Sequence, residues 1–321
     1  DGEAAQVVRP FEPVTIRRID LTDLDEVAQS ERVRTLTAEE ASQRFDLSWD
    51  LMLRCTLIAL GEHSHVVLFT THHIASDGTS MGVLINEFVR LYEAFRHEQG
   101  VGQGVPLAPL PIQYADFACW QRESSHGGLL EKELSYWCAL LDGAPTLHNL
   151  PLDRPRPLRQ RFDARRHEQS LPKALLDDLN RLAREHGATL FMVLQGAYAA
   201  LLGRFSGERD IVMAVPNGGR AQHELAPLIG FFINTLAFRS DVPADLRLNE
   251  LVVRARQTAL GAFAHTNIPF EMLTDALKLE RNLAYNPLCQ IKFVLQNHDA
   301  GRFELTGLQV ESAEQSPEKV H

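Results

Sequence analysis

"HVVLFTTHHIASDGTS", residues 65–80, joins an apolar, β-branched run to a region with helical periodicity. From Thr79 onward, apolar side chains recur at the spacing of one face of an α-helix, and the pattern ends at Gly100. The side chains of this face are Leu84, Phe88, Leu91, Tyr92 and Phe95. The adjacent histidines, His72 and His73, are therefore predicted to lie in a loop between a strand and an amphipathic helix.

A metal site is the least favoured interpretation of this loop. Adjacent residues on an extended segment point to opposite faces, so two neighbouring histidines rarely bind the same ion. The sequence also has no HExxH motif and no matching set of cysteines and histidines nearby. Two interpretations remain from these residues alone: a strand end whose following helix is capped by Asp77 or Thr79, and a catalytic loop.

The catalytic interpretation requires one neutral imidazole to face a cleft, which the ordinary pKa of histidine permits near neutral pH. Asp77 is expected to fold back and fix that ring, and Gly78 lets the backbone approach a reacting carbonyl. Neither nearby serine, Ser76 or Ser80, sits in a GxSxG elbow. The pattern therefore favours direct transfer between two bound substrates over a covalent serine intermediate.

Composition excludes several other classes of protein. The 321 residues favour two lobes, and a net charge of 32 − 42 = −10 has the wrong sign for a dedicated nucleic-acid binder. The four cysteines form no CxxC pair, so no zinc knuckle or redox motif is predicted. No apolar run has the length of a membrane span, and no signal peptide is recognisable, so the expected location is cytoplasmic. Both ends resemble cuts from a longer polypeptide.

The rest of the chain alternates strand and helix patterns, which predicts a mixed α/β fold. Strands are predicted at 14–19, 51–60, 65–71, 162–171, 210–216, 229–238 and 287–297. Beyond the helix that begins at Thr79, helices are predicted at 114–122, 130–141, 173–185, 189–205 and 247–265, with a short one from Pro269. The turn at 61–64 indicates a hairpin, and the proline-rich segment 150–160 is the predicted boundary between lobes.

Five ordered blocks resemble the condensation domains of nonribosomal peptide synthetases. HHIASDG (72–78) matches the HHxxxDG motif of this family, and YADFACW (114–120) resembles its YxDFAxW block. IGFFINT (229–235) resembles IGxFVNT, and HTNIPFE (265–271) resembles HxxxPFE. Residues 281–297 resemble RDxSxNPLFQxxFVLQN. The apolar and aromatic members of these blocks, taken alone, are typical of packing, so their value lies in identifying the family.

The resemblance implies two α/β lobes, each similar to chloramphenicol acetyltransferase, which form a V with the active site at their junction. The lobes are expected at 1–149 and 161–321, with a linker at 150–160. It also implies donor and acceptor peptidyl carrier proteins as partners, next to adenylation and carrier domains. Phosphopantetheine arms of the carriers would deliver the substrates, with no cofactor bound directly and no nucleic acid or membrane partner. The acceptor amine would attack the donor thioester and form an amide.

By the same resemblance, His73 is the active-site base or positioning group. His72 and Asp77 would support the loop, and Gly78 would lie beside the thioester carbonyl. Further candidates for the substrate tunnel are Ser76, Asn234, Gln290 and Arg220. Because a free α-amine has a pKa near 7.7 to 8.0, part of it is already neutral at cytoplasmic pH, and a strong base is not essential.

This sequence departs from the family pattern in several places. The SxxQ-like and HExLR motifs are absent, and with them the arginine expected to pair with Asp77, which predicts a poorly compensated buried charge. Thr79 replaces a usual tryptophan, and Asn282 and Ala284 replace aspartate and serine. The blocks look most like domains that join two L-residues. The alternatives are an epimerisation-type or other HHxxxDG acyltransferase, and a non-catalytic domain that only docks carriers.

Overall fold

A three-stranded sheet forms the first part of the fold. The computed structural model describes residues 5–96, 107–124, 128–161, 164–280, 282–296 and 304–311. The sheet has the order β1-β2-β3, with β1 at Ile16–Asp20, β2 at Leu53–Ala59 and β3 at His65–Thr71. β1 pairs parallel to β2, and β2 pairs antiparallel to β3, from Leu53 opposite Thr71 to Ala59 opposite His65. The predicted hairpin is confirmed.

The crossover between the parallel strands β1 and β2 contains helix α1, Glu26–Ser42, which the sequence patterns did not predict. Its N-cap is Asp25, whose side chain accepts a hydrogen bond from the amide of Ala28 at 2.9 Å. Apolar side chains in α1 are few and are spread around the helix, so no amphipathic stripe marks it in the sequence.

Three helices follow the sheet: α2 at Gly78–Arg96, α3 at Tyr114–Ser124 and α4 at Gly128–Leu141. These helices confirm the predictions made from helical periodicity, apart from shifts of one or two residues at their ends. The expected end of α2 at Gly100 lies outside the described residues.

The second part contains four helices and an antiparallel strand pair. The helices are α5 at Lys173–Glu185, α6 at Leu190–Ser206, α7 at Leu248–Phe263 and α8 at Phe270–Ala276. The strands β4, Asp210–Asn217, and β5, Asn234–Asp241, pair from Asp210 opposite Asp241 to Asn217 opposite Asn234. Pro269 is the N-cap of α8, one residue before the predicted first turn.

Three strand predictions need correction. Residues 164–171 contain no strand, and 162–163 lie outside the described residues. The segment predicted as a strand from Ile229 is irregular up to residue 233, because its backbone groups bond to side chains elsewhere. Residues 287–296 are not a strand, because their pairing with β4 is limited to the hydrogen bonds of Ala214 with Ile291 and Phe293. In addition, Leu288 has a φ of 71°, which lies outside the range of β-strands.

Helix α4 packs against the core of the second part of the chain, although it precedes the predicted boundary at 150–160. Trp137 is 1% exposed and lies in one cluster with buried residues of β4, β5 and α7. Its indole N–H donates to the carbonyl of His265 at 2.9 Å. The boundary itself stays a prediction, but α4 contributes to the larger hydrophobic core.

Within the part of the chain that the structure describes, no single helix is long and apolar enough to cross a membrane. Helices α5 and α6, which meet at a bend of 102°, satisfy the length and composition criterion only when they are taken together.

We predict that Trp137→Phe lowers the free energy of unfolding by about 2 kcal/mol, because it leaves a void and removes a donor to His265. Trp120→Phe is the matched control, because Trp120 on α3 is 48% exposed, and a change below about 0.5 kcal/mol is expected. Urea unfolding followed by circular dichroism measures both. Equal effects for the two variants would contradict the packing of α4 into the core.

Candidate functional site

The loop between β3 and α2 is a short 3₁₀ turn, His73–Ala75, held at its start by His72. The backbone amide of His72 donates to the carbonyl of Met52 at 3.2 Å, which continues the pairing with β2. The Nδ1 atom of His72 accepts a hydrogen bond from the amide of Ile74 at 3.0 Å. The side chain of His72 therefore caps the turn that carries His73.

His73 is exposed, and its ring is oriented by a backbone carbonyl. Its Nδ1 atom lies 2.6 Å from the carbonyl oxygen of Ser76. A carbonyl oxygen only accepts, so Nδ1 carries the hydrogen and the neutral ring has its lone pair on Nε2. The ring of His73 also meets that of Phe231 edge to face, with centroids 5.2 Å apart and planes at 87°. In its neutral form, the His73 imidazole therefore has a fixed tautomer.

Asp77 does not hold the His73 ring, contrary to the expectation from the sequence. The ring is held by the carbonyl of Ser76 instead. The hydroxyl of Ser76 donates to the carbonyl of Asp77 at 3.4 Å. The Asp77 carboxylate points instead into the protein and is 3% exposed. Its Oδ1 atom accepts from the amide and the hydroxyl of Ser80, each at 2.8 Å. Its Oδ2 atom accepts from the amide of Phe232 at 3.1 Å. Asp77 is thus the N-cap of α2, as one interpretation of the sequence proposed.

The expectation that Asp77 lacks a positively charged partner was also wrong. Arg220 lies in the second part of the chain, and its Nη2 atom is 3.2 Å from Oδ1 of Asp77. Both side chains of this pair are almost fully buried. Burial alone would raise the pKa of Asp77, but the hydrogen bonds from Ser80 and Phe232 and the charge of Arg220 hold that pKa below its ordinary value.

Arg220 is itself held on several sides. Its Nη1 atom donates to the carbonyls of Leu225 and Leu228, the latter at 2.8 Å. Its guanidinium lies over the ring of Phe232, with the central carbon 4.0 Å from the ring centroid. Arg220 was predicted from the sequence as a candidate for the substrate tunnel. In the structure, its guanidinium contacts both parts of the site.

Ser80 connects the same two parts and was not identified as a site residue from the sequence. It is completely buried, and its hydroxyl oxygen lies 3.0 Å from the amide and 2.8 Å from the carbonyl of Gly230. The Nη2 atom of Arg220 donates to the same oxygen at 2.7 Å. Ser80 is three residues after the N-cap Asp77, the position whose amide a capping carboxylate bonds, and that spacing was the available signal.

Two glycines allow this close approach of backbones. Gly219 has a φ of 65°, and a Cβ atom there would lie 2.0 Å from the carbonyl oxygen of Phe232. A Cβ atom on Gly230 would lie 2.2 Å from the ring of Tyr114. Any larger residue at either position would push apart the segments that surround Asp77.

A buried cluster of aromatic and leucine side chains adjoins the hydrogen-bond network around Asp77, because Phe232 belongs to both. Phe117, Leu225, Leu228 and Phe232 form a buried group with Tyr114 packed against it. The packing roles that the sequence indicated for Tyr114 and Phe117 are therefore confirmed.

The two remaining candidates make structural hydrogen bonds. The Nδ2 atom of Asn234 donates to two carbonyls within residues 266–268, at 3.0 and 2.6 Å. The Nε2 atom of Gln290 donates to the carbonyls of Thr146 and Asn286, at 2.9 and 2.6 Å. These amides join loops to the core, and their predicted place in a substrate tunnel stays a prediction.

Two surface clefts lie away from this loop. One of about 440 Å³ and one of about 270 Å³ are lined by residues of α6, α7 and β5 and the loops beside them, and none of these residues belongs to the His73 loop. Across the described ranges, no three histidine, cysteine, aspartate or glutamate side chains come together as metal ligands would.

Comparison with known sequences identifies a family. A family model described as "Condensation domain" matches residues 1–320. A linear gramicidin synthase of Brevibacillus parabrevis is 44% identical over 297 residues, which are 92% of this chain and 4% of that protein. The chain thus spans only a small fraction of the curated relatives it matches.

Solved structures show the same fold. The X-domain in its complex with OxyB from teicoplanin biosynthesis has a TM-score of 0.80 and 28% identity, covering 96% of this chain and 66% of that one. The first condensation domain of the calcium-dependent antibiotic synthetase, in complex with a substrate analogue, has a TM-score of 0.66 and 23% identity, covering 89% and 62%. The mixed α/β fold is therefore that of the condensation domains, which is similar to chloramphenicol acetyltransferase.

We predict that Asp77→Asn lowers the free energy of unfolding by about 3 kcal/mol at pH 7, because it leaves Arg220 without its buried counter-charge. The pKa of Asp77 in the folded chain lies below the ordinary value of 3.8, so the stabilisation is complete above pH 3.8 and is lost as the pH falls through the folded pKa. The difference between wild type and variant should shrink over that range in urea unfolding.

The control is Asp23→Asn, at an exposed position, which should follow the wild type at every pH. A wild-type advantage over Asp77→Asn that stays constant down to pH 3 would show that ionisation of Asp77 is not what stabilises the loop.

Proposed function

The chain belongs to the condensation-domain family of nonribosomal peptide synthetases, and we propose that it forms a peptide bond between two carrier-bound substrates. The observation that carries this proposal is the exposed His73 imidazole, at the point where the two parts of the chain meet. Its neutral ring has a single tautomer, and no residue that the structure describes bonds to Nε2. A neutral imidazole that is fixed in this way can accept a proton or a hydrogen bond from an incoming amine.

In the proposed reaction, the lone pair of the acceptor amine attacks the carbonyl carbon of the donor thioester. The carbonyl oxygen becomes negative in the tetrahedral intermediate, and the carbon–sulfur bond then breaks. Nε2 of His73 takes the proton that the amine nitrogen loses, and this proton goes on to the departing phosphopantetheine thiolate. An amide and a free thiol result, so atoms and charges balance.

Gly78 is proposed to lie beside the reacting carbonyl. It is exposed and is the first residue of α2, where a helix leaves its amides without intrahelical partners and its dipole favours negative charge. The absence of a side chain leaves room for the thioester to approach. Stabilisation of the developing oxyanion by such fixed dipoles is a large contribution in acyl transfer generally.

His73 has two possible contributions, proton acceptance and orientation of the amine. An α-amine has a pKa near 7.7 to 8.0, so a fraction of it is neutral at pH 7 and needs no base to become nucleophilic. Orientation in a near-attack geometry can alone account for a large rate factor. The fixed tautomer serves both, since Nε2 accepts a hydrogen bond in either case.

The proposed partners are a donor and an acceptor peptidyl carrier protein, with adenylation and carrier domains as neighbours in the same synthetase. Their phosphopantetheine arms would bring the two thioesters to His73. We further propose that both substrates are L-residues, since the sequence around HTNIPFE (265–271) resembles that subtype. The match to a gramicidin synthase supports a place in a peptide assembly line.

We predict that His73→Ala reduces formation of dipeptidyl carrier by about 100-fold or more, because the amine loses its acceptor. The assay supplies an aminoacyl donor carrier and an aminoacyl acceptor carrier and detects the product by mass spectrometry. His63→Ala is the matched control, because His63 is an exposed histidine in the β2–β3 turn, and its rate should stay within about twofold of wild type.

Equal rates for wild type and His73→Ala would exclude His73 from the reaction. A product that contains a D-residue would favour the epimerisation-type alternative. Carrier binding without any amide in the wild type would favour a docking domain.

A further inference from the structure

Phe231 is an aromatic residue that the hydrophobic core does not require. Its neighbour Phe232 is 4% exposed and packs against Phe117, whereas Phe231 is 38% exposed and lies outside the buried clusters. The ring of Phe231 meets the ring of His73 edge to face, at a centroid distance of 5.2 Å. An exposed aromatic ring in contact with the proposed active-site imidazole calls for an explanation other than core packing.

The backbone on both sides of this ring is fixed by three residues from the first part of the chain. The hydroxyl oxygen of Ser80 accepts from the amide of Gly230 at 3.0 Å. The hydroxyl of Tyr114 donates to the carbonyl of Phe231 at 2.8 Å. The carboxylate of Asp77 accepts from the amide of the next residue at 3.1 Å. Three successive residues are thus fixed, which determines where the side chain of Phe231 points.

The imidazole of His73 needs such a second contact. One hydrogen bond, from Nδ1 to the carbonyl of Ser76, fixes one ring atom and the tautomer, but it leaves the ring free to tilt about that bond. The edge-to-face contact with Phe231 limits that tilt from the side. Contacts of this type change a two-state population by roughly two- to tenfold.

We propose that Phe231 is a positioning residue that holds the His73 imidazole in the orientation that presents Nε2 to the substrate. This inference rests on the proposed peptide-bond-forming function of His73. The buried network around Asp77 then has a catalytic consequence: it places Phe231, supplied by the second part of the chain, against the histidine supplied by the first. Phe231 acts on the reaction through His73 and not by touching the reacting atoms.

The test compares Phe231→Ala, Phe231→Leu and Phe231→Tyr with the wild type in two measurements. The first is NMR of ¹⁵N-histidine-labelled protein without substrates, in which His73→Gln assigns the His73 resonances. The second is the steady-state rate of dipeptidyl-carrier formation, with kcat and KM determined separately. Phe95→Ala is the control, because Phe95 is 55% exposed and lies at the opposite end of α2 from the loop.

We expect Phe231→Ala to shift the ring resonances of His73, because the ring tilts away from its wild-type orientation, while kcat falls roughly three- to tenfold and KM stays within about twofold. Phe231→Tyr should restore both measurements, because it keeps the ring. Phe231→Leu should restore neither, because it fills the space without an aromatic edge or face. The control variant should leave both unchanged.

Unchanged His73 resonances in Phe231→Ala would overturn the inference, as would full restoration by leucine. A rise in KM alone, with the resonances unmoved, would identify Phe231 as a wall of the substrate path instead. The NMR measurement does not depend on turnover. If the wild type forms no dipeptide, the proposed function is refuted, but the NMR spectra still show whether Phe231 orients the His73 ring.

Discussion

One buried carboxylate, that of Asp77, determines how the two parts of this chain meet. Removing an ionised carboxylate from water costs several kcal/mol unless its oxygens are hydrogen-bonded and its charge is paired. Ser80 supplies two donors from the first turn of α2, while Arg220 and the amide of Phe232 supply the others from the second part. The carboxylate is fully satisfied only when both parts are in place, so the conformation of the loop depends on their contact.

The chemistry of the site follows from this constraint. Because Asp77 faces inward, the His73 ring is left to the carbonyl of Ser76, which fixes the tautomer without placing a negative charge beside it. In the neutral ring, this carbonyl partner leaves the lone pair on Nε2. That suits a group that accepts a proton from an amine. The aspartate of this motif therefore fixes the structure of the loop, whereas the proposed role of the histidine is to contact the substrate.

Much of the first sheet and the helices was predictable because their side chains repeat with the period of the element, as in β3 and α2. Helix α1 was missed because its surface is mostly polar. The irregular path at 229–233 was missed because apolar residues there resemble a strand, while the backbone is bound by Ser80 and Asp77 some 150 residues away in sequence. Arg220 was not predicted as the partner of Asp77 for the same reason. A local sequence pattern indicates which groups need a partner, but it does not indicate which distant residue is that partner.

A double-mutant cycle between Asp77 and Arg220 tests most directly whether this buried pair joins the two parts. The free energies of unfolding of Asp77→Asn, Arg220→Met and the double variant are compared with the wild type at pH 7. Each single change leaves one polar group buried without its partner, so we expect the double variant to be more stable than the sum of the single effects by about 1 to 3 kcal/mol. Effects that add to within about 0.5 kcal/mol would contradict the account.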